Sequence, residues 1–472
     1  MKDVTTGLRK IDRRRFLKGV GVGAVALSLG ACGVDVSQTR QGGQAASEVK
    51  GDFSWTREKG KTINLIFAKH PLSDALIKSL PDFEKKTGIK VEYDALPEEE
   101  FRQKLLTDLS TGQGSYDAFM TGPVTDWQYA AAGWIEPLDE YIKNPALTGP
   151  EYAFEDFYPA TVEVNRWDQQ KGLGKGNLWA IPANEEGYSL FYRTDILQEA
   201  GIGIPQTVDD LIAAVKEVDG KTFAGKRVDG FVARGDKTWP TVTTGYSTVF
   251  FSHGATDVTP DGQVAVNSSE GVEATEKWGE VMSYAPNNVG TFTWYEAMNH
   301  FSAGNAAFFI DADHMSETFE APDSSSIADT VGYAPPPSGP AGRASNIWLW
   351  SLGMSSASKN NVAAWLFLQW ATTKKVLEQS INAGNINPTR QSLANSQTMK
   401  EYTKDWGDYN QTWQTILAKY AKWRFTASPK FPEFGDRWAL AIQEVALGKS
   451  SAKEALDAAA QDMQSILDSA KA

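Results

Sequence analysis

Apolar and polar positions along this chain switch repeatedly between the two-residue period of strands and the 3.6-residue period of helices. Residues 62–67 form an apolar strand, and Ser73 is placed to cap a helix that runs to Lys86 and stops at Gly88. Residues 89–93 alternate as a second strand, 98–110 follow a helical pattern, and 116–120 are a third, apolar strand. Strand–helix–strand–helix–strand predicts a parallel sheet with right-handed crossovers, in which ligands gather beyond the carboxyl ends of the strands. Those ends nominate His70, Asp126 and Trp127, although Gly122-Pro123 also reads as an ordinary turn before a helix.

The stretch from Ile181 to Asp195 stands apart. A polar turn bearing Glu185 and Glu186 runs straight into Tyr188-Ser-Leu-Phe-Tyr192, a buried-strand pattern, followed by a short helix at 196–200 and a longer one capped by Thr207 and ending near Val218. Leaving one compact unit through a polar turn and starting another strand at once is the pattern of a crossover between two lobes, and ligand is expected at the crossing. Adjacent residues of an extended chain point to opposite sides. One of the two glutamates therefore faces a cleft and the other solvent; Glu186 is the inward candidate, partly on the resemblance given below, and Tyr188 is a further candidate.

Further along, residues 230–235 give a short strand and turn. Trp239, Tyr246, Phe250 and Phe251 lie on a helical segment; a stripe of that spacing is more often core, and Trp239 is kept as a binding candidate. Residues 304–310 are a strand ending in Asp311, Asp313 and His314. Two carboxylates and an imidazole invite a metal, but hard-ion loops need more oxygen ligands at set spacings and zinc needs further His or Cys, so no metal is expected. Carboxylates at a strand end suit hydroxyl recognition, since each ionised oxygen accepts hydrogen bonds. After a proline-rich loop at 331–343, Trp348 and Trp350 share one face of a strand, either core or a stacking platform, with the cleft favoured for Trp348. The remainder is helical from 361 to 380, near 406–423, at 432–447 and from 451, interrupted by a Gly-Asn loop at 383–388 that offers Asn387 and, just beyond it, Arg390.

Composition adds three things. At 472 residues the chain exceeds the ~250–300 at which single cores stop growing, so two lobes are expected, 61–185 plus 305–355 and 186–304 plus 356–472. A hydrophobic fraction of 41% fills a core, and 16 Trp leave some for work outside it. A net charge of -13 argues against nucleic acid and anionic membrane surfaces as partners. The N-terminus differs from the rest: Arg13-Arg14-Arg15 precedes a short apolar stretch that closes on Leu29-Gly30-Ala31-Cys32, around the chain's only cysteine. Residues 1–31 thus read as an export signal of twin-arginine character, with Asp12 where Ser or Thr is commoner, and Cys32 as a lipid-attachment site. Residues 32–60 read as a flexible tether.

Taken together, the lipoprotein-like leader, two α/β lobes, the crossover ending Ser-Leu-Phe-Tyr-Arg-Thr-Asp, the strand Asn-Ala-Ala-Phe-Phe-Ile-Asp and the helix Ala363-Ala-Trp-Leu-Phe-Leu-Gln-Trp370 resemble the family 1 extracellular solute-binding proteins of ABC importers, the maltose-binding class. The resemblance implies a two-lobed α/β periplasmic-binding-protein fold of type II, each lobe a mostly parallel sheet flanked by helices and joined by several hinge crossings. It implies capture of a sugar or polyol for a permease on the extracytoplasmic face of the membrane, by a lipid-anchored monomer without cofactor. It places ligand contacts on Glu186, on Asp313 and His314 (where the family often has Trp), and on Trp438. Two alternatives stay open: the same role for an amine or phosphodiester, served by acidic residues around aromatics or by Lys69, Arg193 and Arg390, and a secreted glycoside hydrolase using Glu186 with Asp311 or Asp313.

Overall fold

Eight strands build the central sheet of the computed structural model, which describes residues 44–469. They are β1 (Thr62–Ala68), β2 (Lys90–Leu96), β3 (Ala118–Thr121), β4 (Ile181–Arg193), β5 (Asp229–Val232), β6 (Ala306–Ala312), β7 (Val331–Ala334) and β8 (Ile347–Met354). Their order is β5–β6–β4–β8–β3–β1–β2, with β7 also on β4. β1 pairs with β2 and β3 in parallel and β5 with β6 in parallel, as the alternation of strands and helices predicts. Where the crossing strands join, pairing turns antiparallel: β8 on β3 and β4, and β6 and β7 on β4.

β4 is the axis of the fold. Its first half pairs with β8, up to Gly187 opposite Ile347, and its second half pairs with β6, starting with Tyr188 opposite Ala312. All 13 residues are buried, which is why the segment reads as a continuous rather than an alternating pattern. Partner exchange at Gly187–Tyr188 makes this the crossing between two half-sheets, and glycine is required there. A Cβ on Gly187 would stand 2.9 Å from Asp313 Oδ2 and 3.0 Å from Ile416 Cγ2. Gly122 is no ordinary turn glycine either, because a Cβ would meet the Trp348 ring at 2.5 Å. The halves pack as one compact unit.

Two local expectations are corrected. The helix α1 (Pro71–Thr87) is capped by His70, not Ser73: the ring Nδ1 accepts the Leu72 amide at 3.1 Å, while Ser73 Oγ accepts the His70 amide at 3.0 Å. The second half of the expected tether is packed on the body. Asn144 donates to the carbonyls of Ala46 (2.7 Å) and Val49 (3.0 Å), and the Lys86 ammonium lies 4.6 Å over Trp55. The abundance of small residues masked Phe53 and Trp55, which supply that contact. The arginines at 13–15 and Cys32 lie outside the described residues. No described helix is long and apolar enough to cross a membrane.

Candidate functional site

The crossing carries its polar residues on two faces. On one, Glu186 lies opposite Trp348, with Tyr188 and Trp350 two residues along their strands. These four line a cavity together with His70, Arg234, Trp239, Trp294, His314 and, from the helix α2 (Glu98–Thr111), Glu98 and Arg102. Pro240, Thr243 and Thr244 complete the wall. The free volume enclosed by these walls is about 30 Å³, the share of a single water molecule in the liquid, so the walls stand nearly closed on one another.

One end is built on Glu186, 4% exposed. His70 Nε2 stands 3.3 Å and His314 Nδ1 3.4 Å from the same oxygen, Oε1. The helix cap fixes the His70 tautomer: Nδ1 uses its lone pair on the Leu72 amide, so the neutral ring carries its proton on Nε2, aimed at Glu186. Burial lowers both histidines to about 4, against the pull of nearby carboxylates, and both rings are neutral at neutral pH. Burial raises Glu186, partly offset by His314 and Arg234. The three side chains offer atoms within 4.8 Å of one another. They do not suit a cation, because metal on His70 Nε2 would force the ring proton onto Nδ1, against the Leu72 N–H.

Two guanidinium groups share the walls with this cluster. Arg234 follows β5 and forms a two-pronged pair with Asp311, Nε to Oδ2 at 2.8 Å and Nη2 to Oδ1 at 2.6 Å; Asp311 is fully buried. Arg102 is held by Glu98 one turn earlier, Nε and Nη2 both donating to Oε1 at 3.1 and 2.6 Å. Its guanidinium lies 5.0 Å from the Trp239 ring centre, 5.4 Å from Trp350 and 5.8 Å from Trp348. The indoles pack on one another, Trp239 on Trp348 at 5.6 Å and Trp348 on Trp350 at 5.7 Å.

Of the residues expected at the site, the cavity brings together His70, Glu186, Tyr188, Trp239, His314, Trp348 and Trp350. The structure places the others elsewhere. Asp126 accepts from Thr121 at 2.6 Å inside the protein, burial raising its carboxyl to about 8, and Trp127 packs edge-on to Trp423. Asp311 sits behind Arg234. Arg390 is fully buried and spends its donors on the carbonyls of Thr372, Ala153 and Tyr152, so it faces no ligand. Trp438 is buried among Phe250, Tyr246 and Phe425 and is core. Asp313 and Asn387 lie on the other face of β4, where the Asn387 amide donates to Asp313 at 2.7 Å and to Glu185 at 3.4 Å.

Glu185 therefore does not face solvent, as strand alternation alone suggested. The reverse face is covered by the helix Tyr409–Lys419, from which Trp413 donates to Glu185 and Tyr409 to Asn387. Burial raises Glu185 to about 7 and Asp313 well above the usual carboxylate range, each also opposed by the other carboxylates of the crossing.

Glu98, Arg102, Arg234 and Trp294 were missed. Glu98 and Arg102 sit four apart on a helix and read as a solvated pair. Arg234 had a signal: it lies just past the carboxyl end of a parallel strand, the position that nominated His70.

A cavity on the crossing strands between two half-sheets, lined by indoles and opposed charges, fits capture of a small solute. Residues 58–378 match the family model of bacterial extracellular solute-binding proteins. The chain belongs to the bacterial extracellular solute-binding proteins. A solute-binding protein of this family, the erythritol/L-threitol-binding protein of Mycolicibacterium smegmatis, is 35% identical over 457 residues, 94% of each chain. Among solved structures, an ABC transporter solute-binding protein of Agrobacterium radiobacter K84 in complex with ribitol superposes with a TM-score of 0.76 at 23% identity, covering 86% of this chain and 99% of that one. One from Agrobacterium vitis S4 with bound D-mannitol gives 0.74 at 24%, covering 87% and 99%. Both share the two-lobed type II fold.

Proposed function

We propose that this solute-binding protein captures a small neutral polyol or sugar in the cavity at the crossing and presents it to an ABC importer. The observation that carries this reading is the charge arrangement of the cavity. Glu98 is matched by Arg102 and Asp311 by Arg234, both histidines are neutral, and His70 Nε2, 3.3 Å from Glu186 Oε1, has no hydrogen-bond partner among the described residues. Both guanidinium groups that line the cavity are paired with carboxylates and leave none to meet a phosphate, and the faces of Trp239 and Trp350 that would receive an amine already hold Arg102. A chain of hydroxyls fits such walls, donating to Glu186 and accepting from the arginines. The relative from Mycolicibacterium smegmatis, matched over nearly its whole length, supports a four-carbon polyol as the first compound to test.

The protein is not an enzyme on this reading. Glycoside hydrolysis needs two carboxyl groups facing across ~5–10 Å with roles of acid and base or nucleophile. Here Asp311 is locked to Arg234 and Asp313 lies across the strand from the cavity. We further propose that the leader directs export and that a lipid on Cys32 holds the monomeric protein at the extracytoplasmic face, beside its permease.

Thermal unfolding of the purified protein against erythritol, threitol, ribitol, mannitol, maltose, choline and glycerol phosphate tests the solute class. A ligand bound only by the folded state at 100 times its dissociation constant adds ~2.7 kcal/mol. Stabilisation by a polyol or small sugar alone is expected; stabilisation by choline or glycerol phosphate alone would overturn the neutral-solute reading.

A further inference from the structure

Sugar-ring recognition by aromatic side chains needs an open indole face, because the apolar C–H side of a pyranose lies flat on it. Of the four indoles that line the cavity, Trp239, Trp348 and Trp350 hold a cation and Trp294 does not. The Arg102 guanidinium lies over Trp239, Trp350 and Trp348 together, with centroid distances of 5.0, 5.4 and 5.8 Å. It is anchored there by two bonds to Glu98 Oε1, and the helical spacing of four residues keeps the pair in register. Three aromatic faces converge on a planar cation supplied by the chain itself.

Resting on the reading of the cavity as a polyol or sugar site, we propose that Arg102 is its specificity-determining residue, covering the tryptophan platform so that the protein takes open-chain polyols and rejects pyranose rings. The chemistry runs in both directions. An acyclic polyol has no flat C–H face to stack, and it carries a hydroxyl on every carbon. It gains from the donors of Arg102: Nε and Nη2 are engaged by Glu98, and Nη1 has no acceptor among the described residues. A pyranose would have to displace a guanidinium that is paired with a carboxylate and stacked on three rings. Trp239 follows β5 in one half-sheet and α2 precedes β3 in the other, so the same stack joins the two halves.

Calorimetric titration of the full chain and of Arg102→Ala with erythritol, ribitol and methyl α-D-glucopyranoside tests this, with Arg102→Lys as a third protein. Wild type is expected to bind at least one polyol at least 100-fold more tightly than the glucoside. Arg102→Ala is expected to lose at least tenfold on that polyol and gain at least tenfold on the glucoside. Arg102→Lys, charged but without a planar fork, should fall between them. A folded Arg102→Ala protein, shown by an unchanged melting transition, that loses the polyol and gains nothing on the glucoside would overturn the role of Arg102 while leaving the polyol site intact. Equal binding of polyol and glucoside by wild type would overturn it as well. Failure of wild type to bind any polyol or sugar would overturn the solute class itself and this inference with it.

Discussion

Replacing Asp311 with alanine is expected to lower the unfolding free energy by about 3–5 kcal/mol and to abolish solute binding. The reason is the burial of its partnership. Asp311 is fully buried and meets Arg234 through two bonds of 2.8 and 2.6 Å, so truncation leaves a guanidinium nearly sealed from water without its bonded carboxylate, with only longer-range carboxylates, Glu186 among them, to oppose it. The same truncation frees Arg234 to leave its place in the cavity wall. A second variant separates these consequences. In Asp311→Leu combined with Arg234→Met the charge is gone from both sides, and apolar replacement of a buried pair is often neutral or stabilising. That protein should recover most of the stability and still fail to bind. Denaturant unfolding gives the first quantity and calorimetry the second. Recovery of binding with stability would show that Arg234 serves the fold alone.

Trp438→Ala is expected to cost about 3–5 kcal/mol of stability with little effect on affinity in whatever protein remains folded. Its ring is fully buried on the helix Phe431–Ala446, 4.8 Å from Phe250 and 5.8 Å from Tyr246, and truncation leaves a cavity that these rings cannot collapse to fill. Trp348→Ala is the contrast. That ring lines the cavity beside Arg102 and packs on Trp239 and Trp350, so its loss should weaken solute binding at least tenfold. If Trp438→Ala abolished binding while the protein melted normally, the placement of Trp438 in the core would be wrong.

The parts of this site that were legible in the sequence are those fixed by strand geometry. Alternation put Trp348 and Trp350 on one face, and the carboxyl end of a strand nominated His70. At the crossing, alternation sent one of two adjacent glutamates to the cleft, and the family resemblance helped to choose Glu186. Helical and loop residues were harder. Arg102 and Glu98 have the spacing of an exposed pair, and only the packing of α2 against the indoles turns them inward. Glu185 failed for the opposite reason: the rule that one neighbour faces in and the other out holds for a sheet with a wet side, and the reverse face of this crossing is covered by the helix carrying Trp413. Arg390 and Trp438 have the residue types of a binding site, yet backbone carbonyls from distant segments consume the first and a ring of aromatics the second. Neither fate is encoded in local pattern.

In the proposed function, Glu186 and its histidines receive the hydroxyls of a small polyol. Calorimetric titration of erythritol into wild type and into Glu186→Gln tests it most directly. Saturable binding by wild type at one solute per chain is expected, and the glutamine variant should bind 10- to 100-fold more weakly, the usual loss when a charged acceptor becomes a neutral amide. Equal affinity in both proteins would contradict it, by showing that the solute is held somewhere other than the crossing.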